Sequence, residues 1–242
     1  MLSIIYALAM GMAAAATAII ARKTGEKDAE GASNAAVQVI GVGVVVSAVV
    51  GAIGALLAPT LLVLMGANPN IVETGAAYTA TMLGGSVTIF LLFVINAAFR
   101  GAGDAAISMR TLWIANALNM VLSPCLIFGV GPFPKMGVTG AAVATTISRG
   151  VGVAYQVAML LGKSRRLVVL RRHVTLQLAV VTEVVKVALG ASFQTLVETA
   201  SWLGLVRILS LHGSGVSLAG QGIGFLAPKG SGKSTLARLL FR

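Results

Sequence analysis

Residues 35–58 read AAVQVIGVGVVVSAVVGAIGALLA, and these 24 residues contain no charged side chain. A helix of about 20 mainly apolar residues is long enough to cross the hydrocarbon core of a bilayer. Within the stretch, small residues recur at every fourth position, at Gly43, Ser47, Gly51 and Ala55. This spacing places them on one helix face and lets membrane helices approach closely. The stretch therefore predicts a membrane-spanning helix that packs tightly against a neighbour.

Further stretches of the chain have the same apolar character. The sequence is 57% hydrophobic and 10% charged, and its mean hydropathy is +0.94. This composition excludes an ordinary water-soluble domain. We therefore predict an all-α, polytopic membrane helical bundle with about six transmembrane helices. The predicted helices occupy residues 2–21, 35–58, 78–98, 112–130, 138–161 and 187–210.

Charged residues are divided unequally between the connections of these helices. The first, third and fifth connections, taken as residues 22–34, 99–111 and 163–182, hold ten lysines and arginines, and the second and fourth hold only Lys135. Because cytoplasmic loops carry such an excess, we expect a multi-pass protein of the plasma membrane with its odd connections in the cytoplasm. The same bias explains most of the net charge of +11, so no nucleic-acid partner is expected. The single cysteine, Cys125, excludes a disulfide framework and a cysteine metal site.

One acid, Glu198, lies near the middle of the apolar window 187–210, whereas the other six acids fall in connections or at helix ends. A charge at the centre of a bilayer costs roughly 3 kcal/mol, so an acid there is a candidate functional site by default. Gln194 and Ser201 share its helix face, and we expect this polar stripe to face the bundle interior or a wet cavity. In the alternative interpretation, a neighbouring amide such as Gln194 satisfies the carboxyl group.

Two amides, Asn116 and Asn119, lie three residues apart in the fourth predicted helix and share a face. Buried amides in membrane helices commonly bond to neighbouring helices. The two residues therefore have two interpretations, as interhelical hydrogen bonds or as part of a cation or substrate site.

Several runs resemble the multidrug and toxic compound extrusion (MATE) family. They are ARKTGEKD at residues 21–28, FRGAGD at 99–104, and NMVLSPCLIFG at 119–129 with its continuation through 131–134 and 137–145. The resemblance extends from residue 1 to about residue 224.

The resemblance implies two six-helix lobes with alternating access to a central cavity. Members of the family generally export organic cations or other amphipathic compounds in exchange for Na⁺ or H⁺, without another cofactor and without enzyme activity. On that plan the chain supplies helices two to seven, so we expect a truncated or fragmentary form. Residues 1–162 then form the first-lobe helices, 163–182 a basic linker, 183–213 the start of the second lobe, and 214–242 an atypical tail.

The resemblance also assigns roles to single positions. Glu198 matches an acid of the seventh helix that is implicated in cation or substrate binding in one branch of the family. Protonation or Na⁺ binding there would compete with a cationic substrate. Ser123 stands where the family commonly has an acid, so no role of that acid can be transferred. Asp104 matches a cytoplasmic loop motif, for which a structural turn is the simpler interpretation.

The tail contains a second motif, APKGSGKSTLARLL, at residues 227–240. It resembles the phosphate-binding loop of transporter-associated ATPases, with Ala227 in place of the first glycine. In an intact domain, Gly232, Lys233 and Ser234 would bind nucleotide and its Mg²⁺. The sequence shows no Walker B acid after it, and the charge bias puts the tail on the face without ATP. We therefore expect a fusion or reading-frame junction.

Three functions remain open at this point. The chain is predicted to belong to a cation-coupled exporter of drugs or organic cations. The alternatives are a lipid-linked glycan flippase of the same superfamily and an ATP-binding transporter fusion. The expected partners are the lipid bilayer and an amphipathic or cationic small molecule, and an incomplete bundle could also associate with a second copy.

Overall fold

The computed structural model describes residues 2–64, 68–162, 177–211, 215–219 and 222–226. In chain order, the elements are α1 (Leu2–Gly25), α2 (Ala29–Leu56), α3 (Ala58–Leu64), α4 (Pro69–Gly84), α5 (Ser86–Gly101), α6 (Ala105–Phe128), α7 (Val138–Leu161), α8 (Leu178–Leu211), β1 (Gly215–Ala219) and β2 (Gly222–Leu226).

The predicted all-α membrane bundle is confirmed. Among the described residues, five helical segments are long and apolar enough to cross a bilayer: Ile5–Gly25, Ala29–Leu56, Gly75–Gly101, Ala105–Phe128 and Val180–Trp202. The remaining predicted window, 138–161, forms α7, which is as long as α6 and packs against it. α7 is less apolar because it carries Arg149 and Gln156.

Two details differ from the predicted elements. The window 78–98 is not one helix, because α4 ends and α5 begins at Gly85. The stretch 59–77, predicted as a plain connection, contains most of α3 and the first half of α4. Pro59 lies in the first turn of α3 and Pro69 in the first turn of α4, where proline suits a helix because its missing N–H has no partner to lose.

The small residues of α2 bring it against α5, as their spacing predicts. Gly43, Ser47 and Gly51 are buried. A side chain at Gly51 would lie 2.6 Å from Ser86 Oγ, so only glycine permits this approach. The Ser86 hydroxyl donates to the carbonyl oxygen of Ser47 at 3.1 Å. The contact between the two helices is therefore both close and hydrogen-bonded.

The core of the first compact unit, residues 1–193, lies around α5 and α1. Phe90, Phe99 and Ile95 of α5 and Ile20 of α1 are almost completely buried. The span containing α5 has 67% of its window buried, whereas the span of α6 has 17%. α5 is therefore a central helix, and α6 turns much of its apolar surface outward.

The second compact unit, residues 194–242, contains the last part of α8 and an antiparallel hairpin. In the hairpin Gly215 pairs with Leu226, and Ala219 pairs with Gly222. No strand was predicted in the tail. The sequence does carry a hairpin pattern, but each strand is only five residues long. Gly220 and Gln221 separate the two mainly apolar runs, and a two-residue separation is typical of a hairpin turn.

Candidate functional site

α6 and α7 form a helical hairpin that positions the polar residues between them. The first turn of α7 lies so close to the end of α6 that a side chain at Gly140 would be 2.5 Å from the carbonyl oxygen of Leu126. The same carbonyl accepts a hydrogen bond from the N–H of Met136 at 2.9 Å. The two helices therefore pack closely, and Thr145 of α7 lies opposite Asn119 of α6.

Asn119 joins these two helices through hydrogen bonds. Its Nδ2 donates to Thr145 Oγ1 at 3.2 Å, and its Oδ1 accepts from Ser123 Oγ at 3.4 Å. Thr145 Oγ1 in turn donates to the carbonyl oxygen of Ala141 at 2.8 Å. This arrangement favours the interhelical interpretation of Asn119. Ser123, which stands where the family commonly has an acid, belongs to the same polar cluster because its hydroxyl group donates to Asn119.

Asn116 lies apart from this cluster. It is exposed, on the wall of an open groove of about 330 Å³ along α6. Met109, Trp113 and Met120 supply apolar surface to the same groove. The two asparagines therefore have different surroundings, although their spacing placed them on one face.

Arg149 of α7 is a charged residue that the sequence analysis did not single out. It is half-buried, and its Nη2 donates to the hydroxyl oxygen of Tyr6, on α1, at 2.6 Å. Its Cζ atom lies 5.7 Å from the centroid of the Tyr6 ring, close enough for a cation–π contact. Tyr6 packs edge-on against Phe93 of α5, with ring centroids 6.0 Å apart. The signal was an arginine in the middle of an apolar window.

The polar stripe around Glu198 lies on the part of α8 that belongs to the second unit. Gln194 Nε2 donates to Glu198 Oε1 at 3.3 Å. The contact expected from the alternative interpretation, between the carboxyl group and a neighbouring amide, is therefore present. Gln194, Glu198 and Ser201 are all exposed. The described part of the second unit contains no second helix to cover this stripe, so the expectation that it faces a bundle interior or a wet cavity stays a prediction.

The comparison with protein families decides what kind of protein this geometry belongs to. The MatE family model matches residues 1–125, which is more than half of the sequence. This chain belongs to the MatE family. The matched region includes α1 to α5 and most of α6.

Curated relatives of this MatE chain are bacterial transporters. It is 26% identical over 176 residues to the probable multidrug resistance protein YoeA of Bacillus subtilis (strain 168), a match that covers 71% of the chain and 38% of the relative. It is 30% identical over 164 residues to the FAD transporter of Shewanella oneidensis, covering 68% of the chain and 36% of that relative. The chain thus spans less than half the length of these relatives.

A solved structure agrees with this family. It is the outward-facing conformation of a multidrug resistance MATE family transporter of the MOP superfamily, with a TM-score of 0.80 and 27% identity. The match covers 88% of the MatE chain and 47% of the solved chain. The resemblance seen in the sequence is confirmed. Since the chain belongs to this family of transporters and has several helices long and apolar enough to cross a bilayer, it is a multi-pass protein of the cell membrane and not an enzyme.

Ion pairs of the MatE chain lie at one end of its helices. Arg22 Nη1, at the end of α1, lies 2.9 Å from Glu183 Oε1, near the start of α8. This pair agrees with the expectation that the first and fifth connections share one side of the membrane. Within the described residues, no cluster of three His, Cys, Asp or Glu side chains could hold a metal ion. The nucleotide-binding candidates Gly232, Lys233 and Ser234 lie outside the described residues.

Proposed function

We propose that this chain forms part of an efflux transporter that exports drugs, organic cations or other amphipathic compounds in exchange for Na⁺ or H⁺. In this mechanism Glu198 binds the coupling cation, which competes with the substrate. Gln194 and Ser201 complete the binding face on α8. Within the first unit, Asn116 would contact substrate from the groove of α6, and Asn119 would do so by exchanging its bond to Thr145.

One observation carries the proposal. The apolar span Val180–Trp202 includes the carboxyl group of Glu198, which shares a helix face with an amide and a hydroxyl group. Glu183 lies in the same span but near the start of α8, and it pairs with Arg22. Glu198 contacts the neutral amide of Gln194, and its carboxylate oxygens are of the type that a coupling cation would bind. The names of the multidrug relatives support the class of substrate.

The test compares two acids of one helix. Inverted membrane vesicles that contain the chain are prepared, and a Na⁺ or H⁺ gradient is imposed across their membrane. Transport of the fluorescent cation ethidium into the vesicles is then followed. We expect Glu198→Gln to abolish gradient-driven transport, because the amide cannot exchange a cation. The matched control, Glu183→Gln, should transport like the wild type. Ethidium transport by Glu198→Gln at the wild-type rate would refute the proposal.

Two alternatives give different outcomes in parallel assays. A lipid-linked glycan flippase would move an isoprenoid-linked sugar between leaflets and show no drug phenotype. An ATP-binding transporter fusion would show that ATP protects Lys233 from chemical labelling. Either result without ethidium transport would replace the proposal.

Self-association forms part of the same proposal. Gln194, Glu198 and Ser201 are exposed on α8, and an exposed polar stripe is unfavourable against lipid tails. A second copy of the chain would cover it. A particle that remains strictly monomeric on cross-linking in membranes would refute this part.

A further inference from the structure

Arg149 lies at the middle of a helix that packs against other membrane helices. It is the twelfth of the 24 residues of α7, so about 17 Å of helix extends on either side of it. α7 packs against α4, α5 and α6. The guanidinium group is therefore far from both ends of the helix, where a long side chain could reach water along the surface.

Among the residues that the structure describes, no acid pairs with the guanidinium group of Arg149. Its partner is the neutral hydroxyl group of Tyr6. The ion pairs of the described residues join Arg22 and Lys23 to acids near the same helix end. A guanidinium group presents five donors in a planar fork, and Tyr6 accepts one of them. An arginine inside a membrane that keeps unused donors is a functional site by default.

The surroundings of Arg149 suit an amphipathic anion. α1 and α7 both pack on α5, and the Arg149–Tyr6 bond links them across it. The rings of Tyr6 and Phe93 offer apolar surface beside the guanidinium group. Thr145 lies one turn away on the same face of α7, within the polar cluster of Asn119. The site thus combines one fixed cation, aromatic faces and neutral hydrogen-bonding groups.

We propose that Arg149 is an anion-binding subsite for those transported amphipathic compounds that carry a carboxylate or phosphate group. The guanidinium fork matches the two oxygens of such a group, and the aromatic faces hold the apolar body. This inference rests on the proposed transport function and names its substrate class. Tyr6 positions the guanidinium group when the subsite is empty.

Two flavins test this subsite directly. Flavin mononucleotide and riboflavin share one ring system, and only the first carries a phosphate group. Binding of each to the detergent-purified chain is measured by quenching of flavin fluorescence. We expect flavin mononucleotide to bind about tenfold more tightly than riboflavin, as one charge-assisted contact provides. Wild-type protein with no such preference would overturn the proposal.

Variants assign the preference to one residue. Arg149→Met should remove it, and Arg149→Lys should retain part of it. The matched control is Arg110→Met, since Arg110 is exposed in the first turns of α6, and it should keep the wild-type preference. An Arg149→Met protein that still prefers flavin mononucleotide would also overturn the proposal.

Measurements on the wild type alone keep the proposal testable if Arg149→Met does not fold. Inorganic phosphate should displace flavin mononucleotide and leave riboflavin binding unchanged, and failure to displace it would count against the subsite. In nanodiscs, loss of the preference only with phosphatidylglycerol would identify a lipid headgroup as the anion. Binding requires neither an ion gradient nor Glu198, so failure of the transport mechanism would be seen separately in the ethidium assay.

Discussion

The polar residues of α6 and α7 differ from those of α8 in what they bond to. Asn119 reaches across to Thr145 on another helix, whereas Gln194 reaches only to Glu198, one turn along its own helix. The first bond holds two helices together. The second leaves the carboxyl group exposed and bonded only within its own helix. Polar residues with similar spacing along a helix therefore have different bonding partners, which only the packing around them reveals.

The largest effect on stability is expected from a substitution that disturbs the α6–α7 contact. Gly140→Ala places a Cβ atom 2.5 Å from the Leu126 carbonyl oxygen, and such overpacking costs about 1–3 kcal/mol. We expect that loss in the free energy of unfolding, seen as a lower melting temperature in detergent. Gly204→Ala on α8 meets nothing within 4 Å, and its higher helix propensity adds up to about 1 kcal/mol. If both variants lost the same free energy of unfolding, the α6–α7 contact and α8 would not differ in how closely they are packed.

A double-mutant cycle measures the interhelical bond itself. Asn119→Ala and Thr145→Val each remove one partner of the 3.2 Å hydrogen bond. We expect a coupling free energy of about 1 kcal/mol, typical of side-chain bonds between membrane helices. Additive effects of the two substitutions on the unfolding free energy would show that the bond does not stabilise the pair.

The smallest effect is expected on α8. Gln194→Ala removes an exposed bond between residues one turn apart, and such pairs contribute about 0.2–0.5 kcal/mol. The melting temperature should change little. If the loss matched that of Asn119→Ala, the stripe would be covered in the membrane, and the difference between the two regions would disappear.

Most of the fold follows from the sequence because a bilayer sets strict limits on length and polarity. The window 35–58 lies within or beside α2, and its small residues meet Ser86 and its neighbours as expected. The division at Gly85 was not predicted. Glycine is common inside membrane helices, so its presence does not mark an end. Only the packing of α4 and α5 distinguishes this glycine from Gly43.

The candidate site is less accessible to sequence reasoning. The interpretation of Asn119 as an interhelical residue needed only its polarity in an apolar helix. Arg149 was not singled out because the window 138–161 is mainly apolar even with this arginine and is long enough to span a bilayer. Its partner Tyr6 is 143 positions away in the sequence, a separation that no local pattern encodes. The role of Glu198 stays a prediction, since binding depends on what covers its exposed face.

The modest hydropathy of α7 bears on how the chain enters the membrane during synthesis. An arginine at a helix centre opposes release from the translocon into lipid by about 3 kcal/mol. By the time α7 emerges, α1, α5 and α6 have already been made, and they supply Tyr6, a packing surface and Asn119. We therefore expect α7 to leave the translocon together with α6 and against these helices, so that its insertion depends on their prior assembly.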